Sequence, residues 1–205
     1  MLFGNISLQA LIAGLVALLV GLTFHEFSHA VTADNLGDRR PRAMGRLTLN
    51  PLAHIDPIGA LMLIIAGFGW AKPVVVNPAA LRGGRRSMAL VAFAGPLANV
   101  VVAIAFAVVY RIMVLAGVDS GFFLSLVALI VQINILLAIF NLLPIPPLDG
   151  YNVALAYLPP RQAMTLQRYA PYGIIVLLLL IFLPGSPLRA LLGLAVPITR
   201  VLIGA

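Results

Sequence analysis

The chain has 205 residues, of which 62% are hydrophobic and 9% charged, with a mean hydropathy of +1.09. Soluble domains carry about 25% charged residues, so this composition excludes a solvated globule and specifies a polytopic membrane protein. The net charge of +7 does not imply a nucleic-acid partner, because the basic residues flank apolar segments, and the lack of Cys excludes disulfides, thiolate metal sites and cysteine nucleophiles.

The first apolar segment, residues 6–33, is long enough to cross a ~30 Å hydrocarbon core at ~1.5 Å per residue. It has no basic leader and is not expected to be a cleaved signal. A polar stretch follows at 34–57 with Arg39, Arg40, Arg42 and Arg46. The apolar run 58–69 reaches only about 18 Å as a helix and is expected to be re-entrant. A second basic stretch holds Lys72, Arg82, Arg85 and Arg86. Two crossings are expected at 88–117 and 122–143, joined by a tight loop. A polar turn with Arg161 and Arg168 leads to the apolar runs 172–183 and 188–203, the second of which carries Arg200 and either spans or lies on the surface.

With the short run re-entrant, both basic clusters and the Arg161/Arg168 turn share one side, which then holds ten of the thirteen basic residues. That side should be cytoplasmic, in a prokaryotic cell membrane. Residues 46–49 alternate and Val74-Val75-Val76 is β-branched after Pro73, a pattern read as a small membrane-associated β element, with irregular loop as the alternative. Trp70 and the tyrosines read as interfacial anchors. The expected fold class is therefore all-α, with about five transmembrane helices, one re-entrant helix and a short sheet edge. One integral-membrane domain would cover 1–205, with a catalytic core at about 6–152 and C-terminal apolar segments at 170–205.

Within the first span stands His25-Glu26-Phe27-Ser28-His29. Positions i and i+4 share a helical face, so two imidazoles there can hold one Zn²⁺ while the adjacent Glu reaches a water on it. A chance pentapeptide is the bland alternative, weakened here because ionisable groups at membrane depth are expensive. A third ligand is needed. Asp34 lies on the opposite helix face, Asp38 falls beyond Gly37, Asp119 is in the far loop, and Asp56 before Pro57 is explained as a helix N-cap. Asp149 remains, at the end of Asn141-Leu142-Leu143-Pro144-Ile145-Pro146-Pro147-Leu148, where three prolines break the span. Unwound backbone at membrane depth must be buried in protein or line a cavity. A plain helix stop with a solvated Asp is the alternative.

Four blocks together resemble the site-2 protease family of intramembrane zinc metalloproteases, peptidase family M50. They are His25–His29, Asn50-Pro51-Leu52-Ala53-His54-Ile55-Asp56-Pro57-Ile58-Gly59, Gly95-Pro96-Leu97-Ala98-Asn99, and Asn141 through Gly150 with its Leu-Asp-Gly end. The resemblance implies one Zn²⁺ held by His25, His29 and Asp149, with Glu26 as general base. It suggests that His54 and Asn141 stabilise the transition state, against a capping role for His54 and an interhelical hydrogen bond for Asn141. The Gly95–Asn99 block is read as close helix packing and a polar tie. With about five residues between the spans at 117 and 122, and nothing after Ala205, the chain resembles a minimal core without PDZ or CBS domains. The implied reaction is hydrolysis of a peptide bond in or near a transmembrane helix of a membrane-protein substrate. Because a helix hides its peptide bonds, the substrate must unwind, and an edge at Val74–Val76 would pair with the unwound strand. A metal transporter or metal sensor using the same His/His/Asp set is the alternative, followed by a non-catalytic homologue that binds membrane partners.

Overall fold

The computed structural model describes residues 7–66, 69 and 71–205. Trp70, expected as an interfacial anchor, lies outside them. Ten α-helices are described: α1 Leu8–Asn35, α2 Arg40–Ala43, α3 Pro57–Ala66, α4 Arg85–Leu115, α5 Gly121–Asn141, α6 Asp149–Tyr157, α7 Pro160–Tyr169, α8 Gly173–Phe182, α9 Pro187–Gly193 and α10 Ala195–Ile203. The protein is an all-α integral membrane protein. Four segments are long and apolar enough to cross: α1, α4, α5 and the run Pro160–Phe182, in which α7 continues through a short 3₁₀ turn into α8.

Two expectations change. The apolar run 188–203 is not among these four segments; it forms α9 and α10, which meet at Leu194. Nor does the β element form among the described residues. Residues 74–77 run without a paired strand, and the lone bridge joins Ile55 to Ala71. At 47–49 the polar groups find local partners instead: Thr48 Oγ1 accepts the Asn50 N–H, and the Thr48 carbonyl accepts from His54. Such side-chain bonds compete with a ladder. The short helix α3 has ten residues, about 15 Å, and is too short to span, as its sequence indicates.

Packing of α1, α4 and α5 positions the site. Their contacts use small residues, Ala17 on α1 with Val102 and Ile130, and Ala103 and Ala107 on α4 with Val131 and Ile135. Without a hydrophobic driving force between helices in lipid, such residues gain by letting backbones approach closely. The outer face of α4 leaves Leu97, Val101, Ile104, Val108 and Ile112 exposed, where lipid tails cover them. A tight turn joins α4 to α5. Gly117 takes φ +70°, a left-handed value that a Cβ disfavours, and the Val118 N–H closes back on the Met113 carbonyl at 3.0 Å. Ser120 then caps α5 by accepting the Phe123 N–H.

Candidate metal centre

The helical spacing of His25 and His29 brings their rings to a centroid distance of 4.6 Å, edge to face, with the two Nε2 atoms 3.0 Å apart. Both residues are buried on α1. Each ring is fixed from behind. His29 Nδ1 lies 2.7 Å from the Val91 carbonyl, which can only accept. His25 Nδ1 lies 2.7 Å from Asn99 Oδ1. The Asn99 amide is oriented in turn, since its Nδ2 donates to the Gly21 carbonyl and to Asn134 Oδ1, both at 3.0 Å. Asn134 donates to the Ile130 carbonyl at 2.8 Å, and both asparagines are fully buried. Each imidazole therefore carries its proton on Nδ1 and turns an Nε2 lone pair inward.

Asp149 supplies the third atom. Its Oδ2 lies 3.1 Å from His25 Nε2 and 3.2 Å from His29 Nε2, and is otherwise a buried oxygen with no donor. The helix break delivers it there: α5 stops at Asn141, residues 142–148 turn back, and α6 starts at Asp149. A Cβ on Gly150 would meet the Leu142 carbonyl oxygen at 2.2 Å, so this return requires glycine. Glycine also admits α4 to the imidazoles, because a Cβ on Gly95 would lie 2.5 Å from His29 Nε2 and 2.7 Å from His25 Cε1.

Three lone-pair atoms crowded together without a proton between them repel one another unless a cation sits among them. Two imidazole nitrogens and a carboxylate oxygen within 4.8 Å of one another match the donor set of a catalytic zinc, which uses three protein ligands and leaves a position open. The residues present fit the metal.

A cavity of about 350 Å³ opens on this cluster, lined by His25, Glu26, His29, Asn141, Asp149 and Asn152 together with Val74 and its neighbours. Glu26 is 8% exposed, and its Oε2 accepts the Val74 backbone N–H at 3.0 Å. Asn141 Nδ2 donates one turn back to the Leu137 carbonyl at 3.0 Å. His54 is not among the described lining residues. Its Nε2 donates to the Thr48 carbonyl at 2.8 Å, its own carbonyl accepts the Lys72 N–H at 2.8 Å, and its buried Nδ1 has no partner.

Three other acids have partners away from the cluster. Asp34 pairs with Arg39 and Arg42 at 3.1 and 2.7 Å, Asp38 with Arg40 at 3.1 Å, and Asp56 Oδ1 caps α3 through the Ile58 and Gly59 N–H groups. Sequence reasoning missed Asn152, one turn beyond Asp149, and the two backbone partners, the Val91 carbonyl and the Val74 N–H. Backbone groups leave no residue-type signal. Asn99, an amide in the apolar middle of α4, did leave one.

Fold and site together define a zinc metalloendopeptidase embedded in the membrane. The profile of peptidase family M50 matches residues 111–184, which include Asp149. Over 178 residues the chain is 39% identical to YwhC of Bacillus subtilis (strain 168), named as a candidate zinc metalloprotease, covering 82% of this chain and 80% of that protein. Two mycobacterial proteins named as candidate zinc metalloprotease Rip2 also match. The one from Mycolicibacterium smegmatis is 33% identical over 82% of this chain, and the one from Mycobacterium tuberculosis (strain ATCC 25618 / H37Rv) 35% over 81%, each across 65% of its own length. No solved structure matches. The chain belongs to peptidase family M50, and its cofactor is Zn²⁺.

Proposed function

We propose that this protein is an intramembrane endopeptidase that hydrolyses a peptide bond in or near a transmembrane helix of a membrane-protein substrate. In this reading His25, His29 and Asp149 hold the zinc and Glu26 is the general base. When bound, the ion supplies Lewis acidity toward the scissile carbonyl and the attacking water. Glu26, buried beside the cluster, takes the proton from that water and returns it to the leaving amine. Asn141 lines the same cavity and offers its amide to the substrate. Gly95 and Asn99 hold the imidazoles in place. Because hydrolysis consumes water, the cavity must reach an aqueous face. The start of α4 lies beside the end of α1, since Arg82 donates to the Asn35 carbonyl at 2.9 Å. This gathers the arginine clusters at one end and supports a site near the cytoplasmic face of a prokaryotic membrane.

The observation that carries the reading is the meeting of the two Nε2 lone pairs with Asp149 Oδ2, a residue far away in the chain. Zinc analysis of the purified protein, paired with cleavage of a panel of single-span membrane proteins by the wild type and Glu26→Gln, tests it. We expect one zinc per chain in both proteins and cleavage products from the wild type alone. Products from both would remove Glu26 from its role. Zinc movement across vesicles with no cleavage by the wild type would favour the transporter.

A further inference from the structure

Arg46 is a buried cation that the chemistry above leaves unused. It is 3% exposed, and among the described residues no carboxylate pairs with it. Its Nη1 donates to two backbone carbonyls, those of Ala53 and Lys72, the latter at 3.3 Å. A largely buried guanidinium whose protein partners are carbonyls alone is an expensive way to fill space that an apolar side chain could fill. The two carbonyls stand on either side of α3, one just before it and one just after. Arg46 therefore ties the chain leaving for α3 to the chain coming back. Two further links lie beside the tie, the Lys72 N–H on the His54 carbonyl at 2.8 Å and the bridge between Ile55 and Ala71. Pro73 follows, and the next N–H in the chain, that of Val74, meets Glu26 Oε2 at 3.0 Å. Among the described residues it is the one hydrogen-bond donor to that carboxylate.

We propose that Arg46 is a positioning residue for Glu26. Its guanidinium clamps the returning strap, residues 71–76, so that the Val74 N–H aims the carboxylate into the cavity. The proposal rests on Glu26 being the general base. It gives the buried arginine and the expected but unformed strand at Val74–Val76 one joint explanation, because the N–H that would have entered a ladder is used on a side chain. It also gives His54 a place, holding the strap through its backbone. Misplacing a reacting group by about 1 Å can lower turnover on the order of 10²-fold, so a strap fixed at two carbonyls has a direct consequence for rate.

The test is amide hydrogen exchange on the full-length, zinc-loaded protein in lipid nanodiscs, followed by kinetics on the single-span protein that the wild type cleaves. In Arg46→Met the amides of residues 71, 72 and 74–76 should exchange roughly tenfold faster while those of α1, α4 and α5 stay within about twofold, since local opening is separable from global unfolding. Turnover, kcat, should fall about tenfold or more with KM within about twofold and zinc still at one per chain. Arg46→Lys, which can still donate to one carbonyl, should fall between. Val74→Pro keeps the clamp and deletes the donor, so it should lose kcat to the same extent with Lys72 exchange unchanged. Glu26→Ala should speed exchange at Val74 alone, a readout that needs no cleavage. Unchanged exchange over 71–76 in Arg46→Met, or wild-type kcat in Val74→Pro, overturns the proposal, and the second decides it even if Arg46→Met does not fold. Cleavage surviving in Glu26→Gln instead defeats the general-base reading, whatever the exchange shows.

Discussion

The two halves of the metal centre are built by different means. On α1 the helical repeat alone stacks His25 over His29, and polar ties to Val91 and Asn99 then set which nitrogen faces inward. Asp149 owes nothing to local repetition. It arrives on a chain that leaves α5, turns through three prolines and restarts as α6, and only close packing at Gly150 brings it within 3.2 Å of both rings. One half is written in the sequence as a spacing, the other as an interruption.

Removing a ligand from either half should have the largest effect and should erase the difference between them. His29→Ala and Asp149→Ala should each retain less than about one tenth of the zinc and lose cleavage by at least ~10³-fold, because the Lewis acid supplies most of the acceleration. Elemental analysis and the panel assay read both. An Asp149→Ala protein with full zinc and wild-type cleavage would show that the His pair binds its metal without the second half.

The two glycines separate the halves. Gly95→Ala drives a Cβ to 2.5 Å from His29 Nε2, against a side chain, so zinc affinity should fall by about 10²-fold while the helices stay packed. Gly150→Ala drives a Cβ to 2.2 Å from a carbonyl oxygen, against backbone, and should destabilise the fold by about 1–3 kcal/mol or more. Thermal unfolding and zinc titration of both variants check the contrast. Asn99→Ala should come next, lowering zinc affinity about 10-fold by freeing the His25 ring, since outer hydrogen-bond partners of a metal ligand are worth 10–100-fold.

This contrast also explains what could be read in advance. His25, Glu26 and His29 are legible because a membrane protein carries few ionisable groups and a helix places i and i+4 together. Asp149 was reachable because each other acid had a positional reason to be elsewhere; Asp56 does cap α3, while Asp34 and Asp38 turn to arginines. The strand pattern at 74–76 misled because β-branched residues describe a pleated surface, and among the described residues no partner strand arrives to use it. The run 188–203 stayed open in the sequence because apolar composition does not report where α9 ends and α10 begins, at Leu194. What stayed hidden, the Val74 N–H and the Val91 carbonyl, is backbone, which residue type does not single out.

The smallest expected effect lies outside the metal centre and shows how the approach to it is held. Asp38 is 1% exposed and accepts from the Arg40 guanidinium twice, at 3.1 Å, from the Arg40 N–H at 3.2 Å and from the Asn77 N–H at 2.6 Å, so it joins the segment after α1 to the end of the strap. The Arg40 guanidinium, with help from the two backbone donors, holds this carboxyl below the usual carboxylate range. A lowered value means that the contribution to stability is complete above the unfolded value of about 3.9 and is lost as pH falls through the folded one. Arg40 is 45% exposed on its side chain, so solvent screens part of the attraction. Asp38→Asn, which keeps an oxygen for Asn77 but no charge for Arg40, should therefore cost about 1 kcal/mol near neutral pH. The deficit should shrink as pH drops below about 4, because the unfolded wild type then takes up a proton that folding must expel. Melting curves at pH 7 and pH 3 check it, and a gap that persists unchanged at the lower pH would assign the loss to hydrogen-bond geometry in place of charge.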